Sequence, residues 1–237
     1  MTTEKEKPLI GMIGGTGWVS TVEYYRLINE KVNEKLGGLN FIRCLIFSLN
    51  FGDINDLNNR RDDKGIYLLL LDAARRLKAA GATCLVLGAN TLHQYAEKLE
   101  RDVSLQVIHI AEATGRAIKA NNFTKAGLLG TRQTMEMDFY KEKLKGFGIK
   151  TLLPPSDDRA YIDGAIRSEL LKDIFLPETN TRFLKIMDEL HKKGAQCIIL
   201  GCTEIPLLVK QDQIGIKLFD TLEIHAGAIV DYYISEL

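Results

Sequence analysis

Two pairs of segments in the chain repeat each other, and this repeat limits the fold more than any other feature of the sequence. Gly81-Ala-Thr-Cys-Leu-Val-Leu-Gly-Ala89 and Gly194-Ala-Gln-Cys-Ile-Ile-Leu-Gly-Cys202 share Gly-Ala-x-Cys, three aliphatic residues and a glycine, at an offset of 113 residues. Ile10-Gly-Met-Ile-Gly-Gly15 and Ala126-Gly-Leu-Leu-Gly-Thr131 form a second pair at an offset of 116. Two matches in the same order, at nearly one offset, predict a duplicated structural unit.

Short apolar runs alternate with longer amphipathic stretches along the whole chain. The runs are rich in Val, Ile and Leu and mostly apolar on both faces, which is typical of buried parallel strands. The predicted strands are Leu9 to Ile13, Cys44 to Leu49, Cys84 to Leu87, Leu105 to Ile110, Ala126 to Leu129 and Cys197 to Leu200. The predicted helices are Thr21 to Lys35, Gly65 to Ala80, Thr91 to Glu100, Glu112 to Ala120, Met135 to Lys145 and Thr181 to Lys193. This alternation indicates an α/β fold built from right-handed βαβ units.

The repeat divides the chain into two pseudo-symmetric α/β domains with central parallel sheets. We place the first at residues 1–104 together with a C-terminal helix at 219–237, and the second at residues 105–218. Ligands of open α/β sheets bind at the carboxyl ends of the strands, where both repeated motifs place their loops. We therefore expect the active site in a cleft between the two domains.

Composition excludes several classes of protein. The 237 residues include 31 Lys and Arg against 31 Asp and Glu, which argues against a nucleic-acid or membrane-surface partner. No apolar run approaches the ~18 residues of a membrane span, and the polar start does not resemble a signal peptide, so we expect a cytoplasmic protein. The four cysteines lack metal-type spacing and should be free thiols in a reducing compartment.

Polar residues follow the repeated strands directly. Asn90 and Thr91 follow the first, and Thr203 and Glu204 follow the second. Such turns direct free backbone N–H groups at an anion, although the same hydroxyls could simply cap helices. The segment Gly11-Met-Ile-Gly-Gly15-Thr16-Gly fits neither a dinucleotide fingerprint nor a P-loop, and its glycines favour close approach of the backbone to a small ligand.

Cys202 is the most suggestive single residue. Cys44, Cys84 and Cys197 lie inside predicted strands, where a cysteine usually serves as a small hydrophobic residue. Cys202 instead leaves its strand at a predicted helix N-terminus, where the dipole and free amides should stabilise a thiolate that could act as a base or a nucleophile. His93 could be its partner or could be structural, and the other histidines show no spacing that suggests a metal site or a triad.

Five motifs in the chain occur together in one known family: Ile10-Gly-Met-Ile-Gly-Gly, Ser20-Thr-Val-Glu-Tyr-Tyr-Arg-Leu-Ile-Asn29, Asn90-Thr-Leu-His93, Gly127-Leu-Leu-Gly-Thr-Arg-Gln-Thr-Met135 and Gly201-Cys-Thr-Glu-Ile-Pro206. In these motifs the sequence resembles the aspartate/glutamate racemase family, in its branch of broad or atypical amino-acid racemases. The resemblance covers nearly the whole chain. It implies an amino-acid substrate, no PLP, metal or other cofactor, and a homodimer.

The resemblance also implies a mechanism with one cysteine in each half, on opposite faces of the substrate α-carbon. One thiolate takes the proton while the other thiol donates its own. The second position is Cys202, but the first is Ala89, and the internal repeat alone aligns the same two residues. Alanine can neither give nor take a proton, so the two-thiol mechanism cannot operate unchanged.

Four explanations remain open at this point. The protein could be a one-cysteine racemase that passes its second proton through water or a hydroxyl such as Thr91 or Thr16. It could catalyse a single-protonation reaction, as arylmalonate decarboxylases of the wider superfamily do. It could bind an amino acid without catalysis, or Ala89 could be an engineered replacement.

The substrate-binding residues also follow from the resemblance. The α-carboxylate and amino group are expected to meet Asn90, Thr91, Thr131, Thr134 and Thr203, next to Gly15 and Thr16. A distal polar or carboxylate group would meet Asn58 or Arg60 from one loop and Arg167 from another. Arginine can hold a carboxylate through two parallel hydrogen bonds.

Overall fold

The computed structural model describes residues 7–237, which form two compact units, each with its own parallel sheet. The first unit comprises residues 7–88, 95–108 and 226–237, and the second comprises residues 89–94 and 109–225. The strands are β1 (Ile10–Gly14), β2 (Cys44–Ser48), β3 (Cys84–Leu87), β4 (Lys125–Gly130), β5 (Lys150–Leu152), β6 (Cys197–Gly201) and β7 (Lys217–Asp220). The helices are α1 (Trp18–Leu36), α2 (Phe51–Asn59), α3 (Asp63–Ala79), α4 (Ala96–Val103), α5 (Ile110–Ala120), α6 (Arg132–Glu136), α7 (Asp138–Gly146), α8 (Ser156–Ser168), α9 (Pro177–Lys192), α10 (Ile205–Leu208) and α11 (Thr221–Ser235).

The two sheets have matching strand orders. The first runs β2-β1-β3, and a parallel bridge from Leu85 to Val107 adds one further residue pair beyond β3. The second runs β5-β4-β6-β7, with every neighbouring pair parallel. The α/β class with parallel sheets is therefore confirmed, and in both sheets the first strand of the unit lies between its second and third strands.

The repeated Gly-Ala pair closes the helix before each central strand in the same way. Gly81 has φ +93° and Gly194 has φ +97°, which is the left-handed region that L side chains rarely adopt. The next residues, Ala82 and Ala195, donate their N–H groups back to Leu77 and Leu190, each at 3.0 Å. These bonds end α3 and α9 and return the chain into the sheet. The matched residues keep the 113-residue offset, so the repeat is structural as well as sequential.

Several predicted boundaries were wrong. The run from Leu105 to Ile110 is not a strand, because only Val107 pairs with β3 and α5 already begins at Ile110. The edge strands β5 and β7 were missed because exposed polar residues interrupt their apolar pattern. Helix α2 was missed because it buries only Ile54. The proposed divisions at 104/105 and 218/219 stay a prediction, whereas residues 89–94 group with the second unit.

The core of the second unit surrounds β4 and β6. Both strands are fully buried apart from Lys125, and α5, α7, α8 and α9 pack aliphatic and aromatic side chains against them. Such packing holds the carboxyl ends of β4 and β6 in fixed positions. Between residues 7 and 237, no helix is long and apolar enough to cross a bilayer.

The repeated turn gives a direct stability prediction. Gly194→Ala should lower the free energy of unfolding by about 1–2 kcal/mol, because a Cβ at φ +97° strains the backbone although nothing lies within 4 Å of it. Gly164→Ala, inside α8 and also without a neighbour within 4 Å, should be neutral or stabilising by up to about 1 kcal/mol. Urea denaturation of both variants measures the difference, and equal effects would contradict this account of the turn.

Candidate active site

The loops that follow β4 and β6 lie side by side because two glycines permit it. Gly130 pairs with Gly201 in the sheet register. A Cβ on Gly130 would lie 2.7 Å from the Gly201 carbonyl oxygen, and a Cβ on Gly201 would lie 2.7 Å from the Leu129 carbonyl oxygen. No other residue type fits at either position without backbone movement. Thr131 and Cys202 therefore leave neighbouring strands at the same edge of the sheet.

Cys202 is held against a buried carboxylate. Its thiol donates a hydrogen bond to Glu204 Oε2 at 2.9 Å, and the Thr203 hydroxyl donates to the same oxygen at 3.0 Å. All three residues are buried, with Glu204 only 2% exposed. A buried carboxylate needs such donors, because water does not solvate it. The turn therefore joins a thiol and a proton acceptor in direct contact.

The structure corrects the expectation that the helix N-terminus stabilises a Cys202 thiolate. Burial raises the pKa of the Cys202 thiol well above its usual value, and the Glu204 carboxylate raises it further through its charge and the hydrogen bond. Asp163 acts in the same direction. The helix that follows, α10, has only four residues, so its dipole is too short to offset these effects. The resting form of Cys202 at neutral pH is the thiol.

The other cysteines have different surroundings. Burial raises the pKa of Cys84 and Cys197 to about 12 each and raises the pKa of the half-buried Cys44. All four cysteines are free thiols. Cys202 differs from the rest because its sulfur contacts an acidic side chain that can accept its proton.

Three threonine hydroxyls meet in the same unit. Thr91 Oγ1 lies 3.0 Å from Thr131 Oγ1 and 3.3 Å from Thr134 Oγ1, and the last two lie 3.1 Å apart. Thr131 is also the N-cap of α6, where its Oγ1 accepts a bond from the Thr134 backbone N–H at 3.3 Å. The hydroxyls can donate outward to an anion if one replaces their mutual bonds. We call Thr91, Thr131 and Thr134 the threonine cluster.

Asn90 is buried with one polar atom unsatisfied. Its amide Nδ2 donates to Thr221 Oγ1 at 3.0 Å, and Thr221 in turn donates to the Leu200 carbonyl at 2.7 Å. Asn90 Oδ1 has no hydrogen-bond partner. A buried amide oxygen without a partner costs free energy, so this atom is an acceptor available to a ligand that brings an N–H group.

Ala89 has no functional side chain, but its backbone carbonyl takes part in a hydrogen bond. The Ala89 carbonyl accepts a 3.0 Å bond from His93 Nδ1, which must therefore carry the proton. The His93 ring packs against His109 and His225 at centroid distances of 4.8 and 5.4 Å. His109 caps α5 through Nδ1, and burial, with smaller contributions from His93 and Lys143, lowers its pKa to about 2. Of the two roles considered for His93, the Ala89 bond supports the structural one.

Arg167 is tied to neighbouring side chains. Its Nε donates to Asp163 Oδ2 at 3.0 Å and its Nη2 reaches Gln133 Oε1 at 3.4 Å. The other carboxylate oxygen, Asp163 Oδ1, accepts the backbone N–H of Arg132 at the start of α6. The guanidinium keeps N–H groups for a ligand, since these two bonds do not use all five. Asp163 orients the arginine and offsets part of its charge.

The remaining predicted site residues lie in the first unit. Gly15 has φ +82° and a Cβ there would meet the Leu49 carbonyl oxygen at 2.1 Å, so only glycine fits. Thr16 is buried and its Oγ1 has no hydrogen-bond partner. Asn58 is half-buried near the end of α2, and Arg60, the C-cap of α2, is exposed. Ser20 lies inside α1, which begins at Trp18, and its hydroxyl donates to the Gly17 carbonyl.

Three residues that hydrogen-bond to the predicted site residues were not predicted as part of the site: Glu204, Asp163 and Thr221. Glu204 was noted only as a polar turn residue, although its place two residues after Cys202 in a tight turn was a usable signal. Asp163 precedes Arg167 by four residues on α8, a spacing that pairs charges on one helix face. Thr221 stands 131 residues from Asn90, and no pattern in the sequence connects them.

Comparison with known proteins identifies the family of the chain. Residues 13–229 match the model of the family described as Asp/Glu/hydantoin racemase. The broad-specificity amino-acid racemase RacX of Bacillus subtilis (strain 168) is 24% identical over 96% of this chain and 99% of its own. A candidate Asp/Glu racemase from Yersinia pestis is 39% identical, with a TM-score of 0.88 over 96% of this chain and 99% of that one.

An aspartate racemase homologue from Pyrococcus horikoshii OT3 is 30% identical, with a TM-score of 0.81 over 95% of this chain and 98% of that one. The family match and these likenesses both span nearly the full length of the described structure. The chain belongs to the Asp/Glu/hydantoin racemase family.

Proposed function

We propose that the protein is a cofactor-independent amino-acid racemase-like isomerase in which Cys202 is the single catalytic thiol. One observation carries the proposal: the Cys202 thiol donates to the buried Glu204 carboxylate at the carboxyl end of β6. Family membership supports the reaction class, because the relatives named above include an amino-acid racemase. The charge balance of the chain favours a small molecule over a nucleic acid.

The pair can move a proton in either direction. To take the substrate α-proton, Cys202 first passes its own proton to Glu204 and then accepts the α-proton on sulfur. This leaves a thiol, a protonated Glu204 and a substrate carbanion. To return the proton, the thiol donates to the carbanion and recovers a proton from Glu204. A carboxylate in contact with the sulfur thus removes the need for a thiolate in the resting protein.

Ala89 restricts what this pair can accomplish. A single base and acid on one face of the α-carbon exchanges the proton with solvent and returns the starting configuration. Inversion needs a donor on the opposite face, where a second thiol is missing. Water or the hydroxyl of Thr91 or Thr16 is the proposed donor, and since each is a weaker acid than a thiol, inversion should be slower than exchange.

Two other functions remain as alternatives, each with its own observable. A single-cysteine decarboxylase of the arylmalonate type would use the Cys202 thiol only to protonate a carbanion, and the raised pKa of Cys202 suits such a donor. It would release CO₂ from a disubstituted malonate. A binding protein would be stabilised by an amino acid without any exchange.

The substrate contacts follow the same proposal. The threonine cluster would hold the α-carboxylate, and Thr203 would join it once its single hydroxyl proton turns from Glu204 to the substrate. Asn90 Oδ1 would accept from the ammonium group. Gly15 and Thr16 would add backbone and hydroxyl contacts, with Asn58 or Arg60 near the distal group. Arg167 would bind a distal carboxylate through the N–H groups that Asp163 and Gln133 leave available.

Substitution of the thiol tests the assignment. In deuterated water, wild-type protein should incorporate deuterium at the α-position of its amino-acid substrate, read by NMR. Cys202→Ser should lower this exchange by roughly 10²-fold or more, because a serine hydroxyl is a far weaker acid and base at neutral pH. Cys44→Ser is the control and should leave exchange nearly unchanged. Full exchange in Cys202→Ser would overturn the assignment.

Substitution of Arg167 tests the substrate class. Arg167→Met should weaken aspartate or glutamate binding by about 1.5–3 kcal/mol, the range for hydrogen bonds to charged groups, and should barely affect alanine or serine. Arg116→Met is a matched control, because Arg116 also pairs with an acid four residues earlier, Glu112, on a helix of the same unit. Calorimetric titration measures both. Equal losses for acidic and small amino acids would mean that Arg167 is structural.

A further inference from the structure

The side-chain amide of Asn90 has a fixed orientation because of Thr221. The Thr221 hydroxyl donates its single proton to the Leu200 carbonyl at 2.7 Å, so toward Asn90 its oxygen can only accept. Asn90 Nδ2 lies 3.0 Å from that oxygen and is the matching donor. Turning the amide over would put two acceptors, Asn90 Oδ1 and Thr221 Oγ1, against each other. Thr221 therefore holds Nδ2 toward itself and directs Oδ1 away.

Burial makes this orientation costly to reverse. Thr221 is fully buried and Asn90 is 3% exposed, so water does not replace the bond between them. Asn90 Oδ1 has no hydrogen-bond partner among residues 7–237. A buried acceptor in this state is satisfied by a ligand that brings a donor, whereas a second acceptor placed beside it is repelled.

The sheet places Thr221 where it reaches both partners. Its neighbour Asp220 pairs with Leu200 in the parallel register of β7 and β6. Asp220 Oδ1 also accepts two backbone N–H groups at the start of α11, at 2.8 and 3.1 Å. Thr221 is held between the strand pairing and this helix start, so the position of its hydroxyl does not depend on Asn90.

The backbone of the turn that carries Asn90 is held by other bonds. The Ala89 carbonyl accepts the Leu92 N–H at 3.2 Å and the His93 ring N–H at 3.0 Å. Neither bond involves the Asn90 side chain. Loss of the Thr221 hydroxyl should therefore release the orientation of the amide and leave the turn in place.

The direction of the amide decides which ligand group Asn90 can bind. With Oδ1 presented, Asn90 accepts from an N–H group and repels a carboxylate, which is itself an acceptor. With Nδ2 presented, the preference would reverse. Arg167 offers only donors, and the hydroxyls of the threonine cluster can either donate or accept, so these groups do not make the same distinction.

We propose that Thr221 is a positioning residue that makes the site selective for substrates with an N–H group on the α-carbon. This role rests on the proposed function, since it concerns the same substrate site. α-Amino acids carry such a group, whereas malonates and other simple dicarboxylates do not. An arylmalonate would leave Asn90 Oδ1 without a donor, so the role of Thr221 also separates the racemase from the decarboxylase alternative.

Calorimetric titration of matched ligand pairs tests the role of Thr221. The pairs are aspartate with succinate, glutamate with glutarate, and alanine with propionate, which differ only in the α-amino group. Wild-type protein should bind at least one amino ligand roughly tenfold or more tightly than its nitrogen-free partner. Thr221→Val should reduce this ratio by roughly tenfold. The amino ligand should bind more weakly, and its partner equally well or better, because the released amide can turn Nδ2 to the ligand.

Two variants separate positioning from general damage. Thr221→Ser keeps the hydroxyl and should restore the wild-type ratio. Thr114→Val is a matched control, because Thr114 is also fully buried in the second unit, donates to the Ile110 carbonyl at 2.8 Å and accepts from the Tyr140 hydroxyl at 3.4 Å. It should leave the ratio unchanged. A purely structural role of Thr221 would instead lower the affinity for both members of a pair equally.

A third variant tests the acceptor itself. Asn90→Leu removes Oδ1 and should lower the ratio as far as Thr221→Val does, and the double variant should lower it no further. If circular dichroism shows that Thr221→Val is misfolded, Thr221→Cys replaces it, since a thiol of similar size is a much weaker acceptor.

The outcomes that overturn the proposal are specific. They are a wild-type protein without preference for any amino ligand, equal losses within a pair, no rescue by Thr221→Ser, or an unchanged ratio in Asn90→Leu. The deuterium-exchange experiment is independent of these measurements. Absent exchange with the ligand preference intact would remove the catalytic assignment and leave the role of Thr221, whereas a lost preference with exchange intact would do the reverse.

Discussion

The hydrogen bond from the Cys202 thiol to the Glu204 carboxylate is the interaction on which the functional interpretation depends. It explains why a thiol with a raised pKa can still take part in proton transfer, because the Glu204 carboxylate that would accept its proton is in contact with the sulfur. The same bond satisfies a carboxylate that is almost fully buried. A helix dipole acting on an exposed thiolate would instead produce a cysteine that is readily alkylated at neutral pH.

The scaffold beneath this pair is set by backbone requirements at a few glycines. Gly130 and Gly201 allow two strand ends to approach, and the left-handed turns at Gly81 and Gly194 start the repeated strands at equivalent points. The strands β3 and β6 follow these turns and are equivalent in the two units. The glycine at the end of each strand is followed by Ala89 in one unit and by Cys202 in the other. Duplication thus creates two equivalent positions, of which one carries a reactive group.

Local patterns in the sequence predicted the α/β class, helices α1, α3, α5, α7 and α9, and the position of Cys202 directly after a strand, because strand burial and helix periodicity are local properties. Helix α8 was not predicted. Pairings across the fold were not predictable from them. The bond between Asn90 and Thr221 and the meeting of Thr91 with Thr131 depend on how loops from different strands converge. The pKa of Cys202 also depends on burial and on the Glu204 carboxylate, whereas the sequence motif indicated only a helix N-terminus.

The central claim is that an otherwise intact racemase site lacks one thiol at position 89, and Ala89→Cys tests it most directly. Racemisation of the amino-acid substrate is followed by chiral chromatography in both directions, with α-deuterium exchange measured on the same samples. We predict that the parent protein exchanges faster than it inverts, and that the variant inverts about 10²–10⁴-fold faster in both directions, the usual contribution of one positioned acid or base. A folded variant with a titratable new thiol and no gain in inversion would contradict the claim.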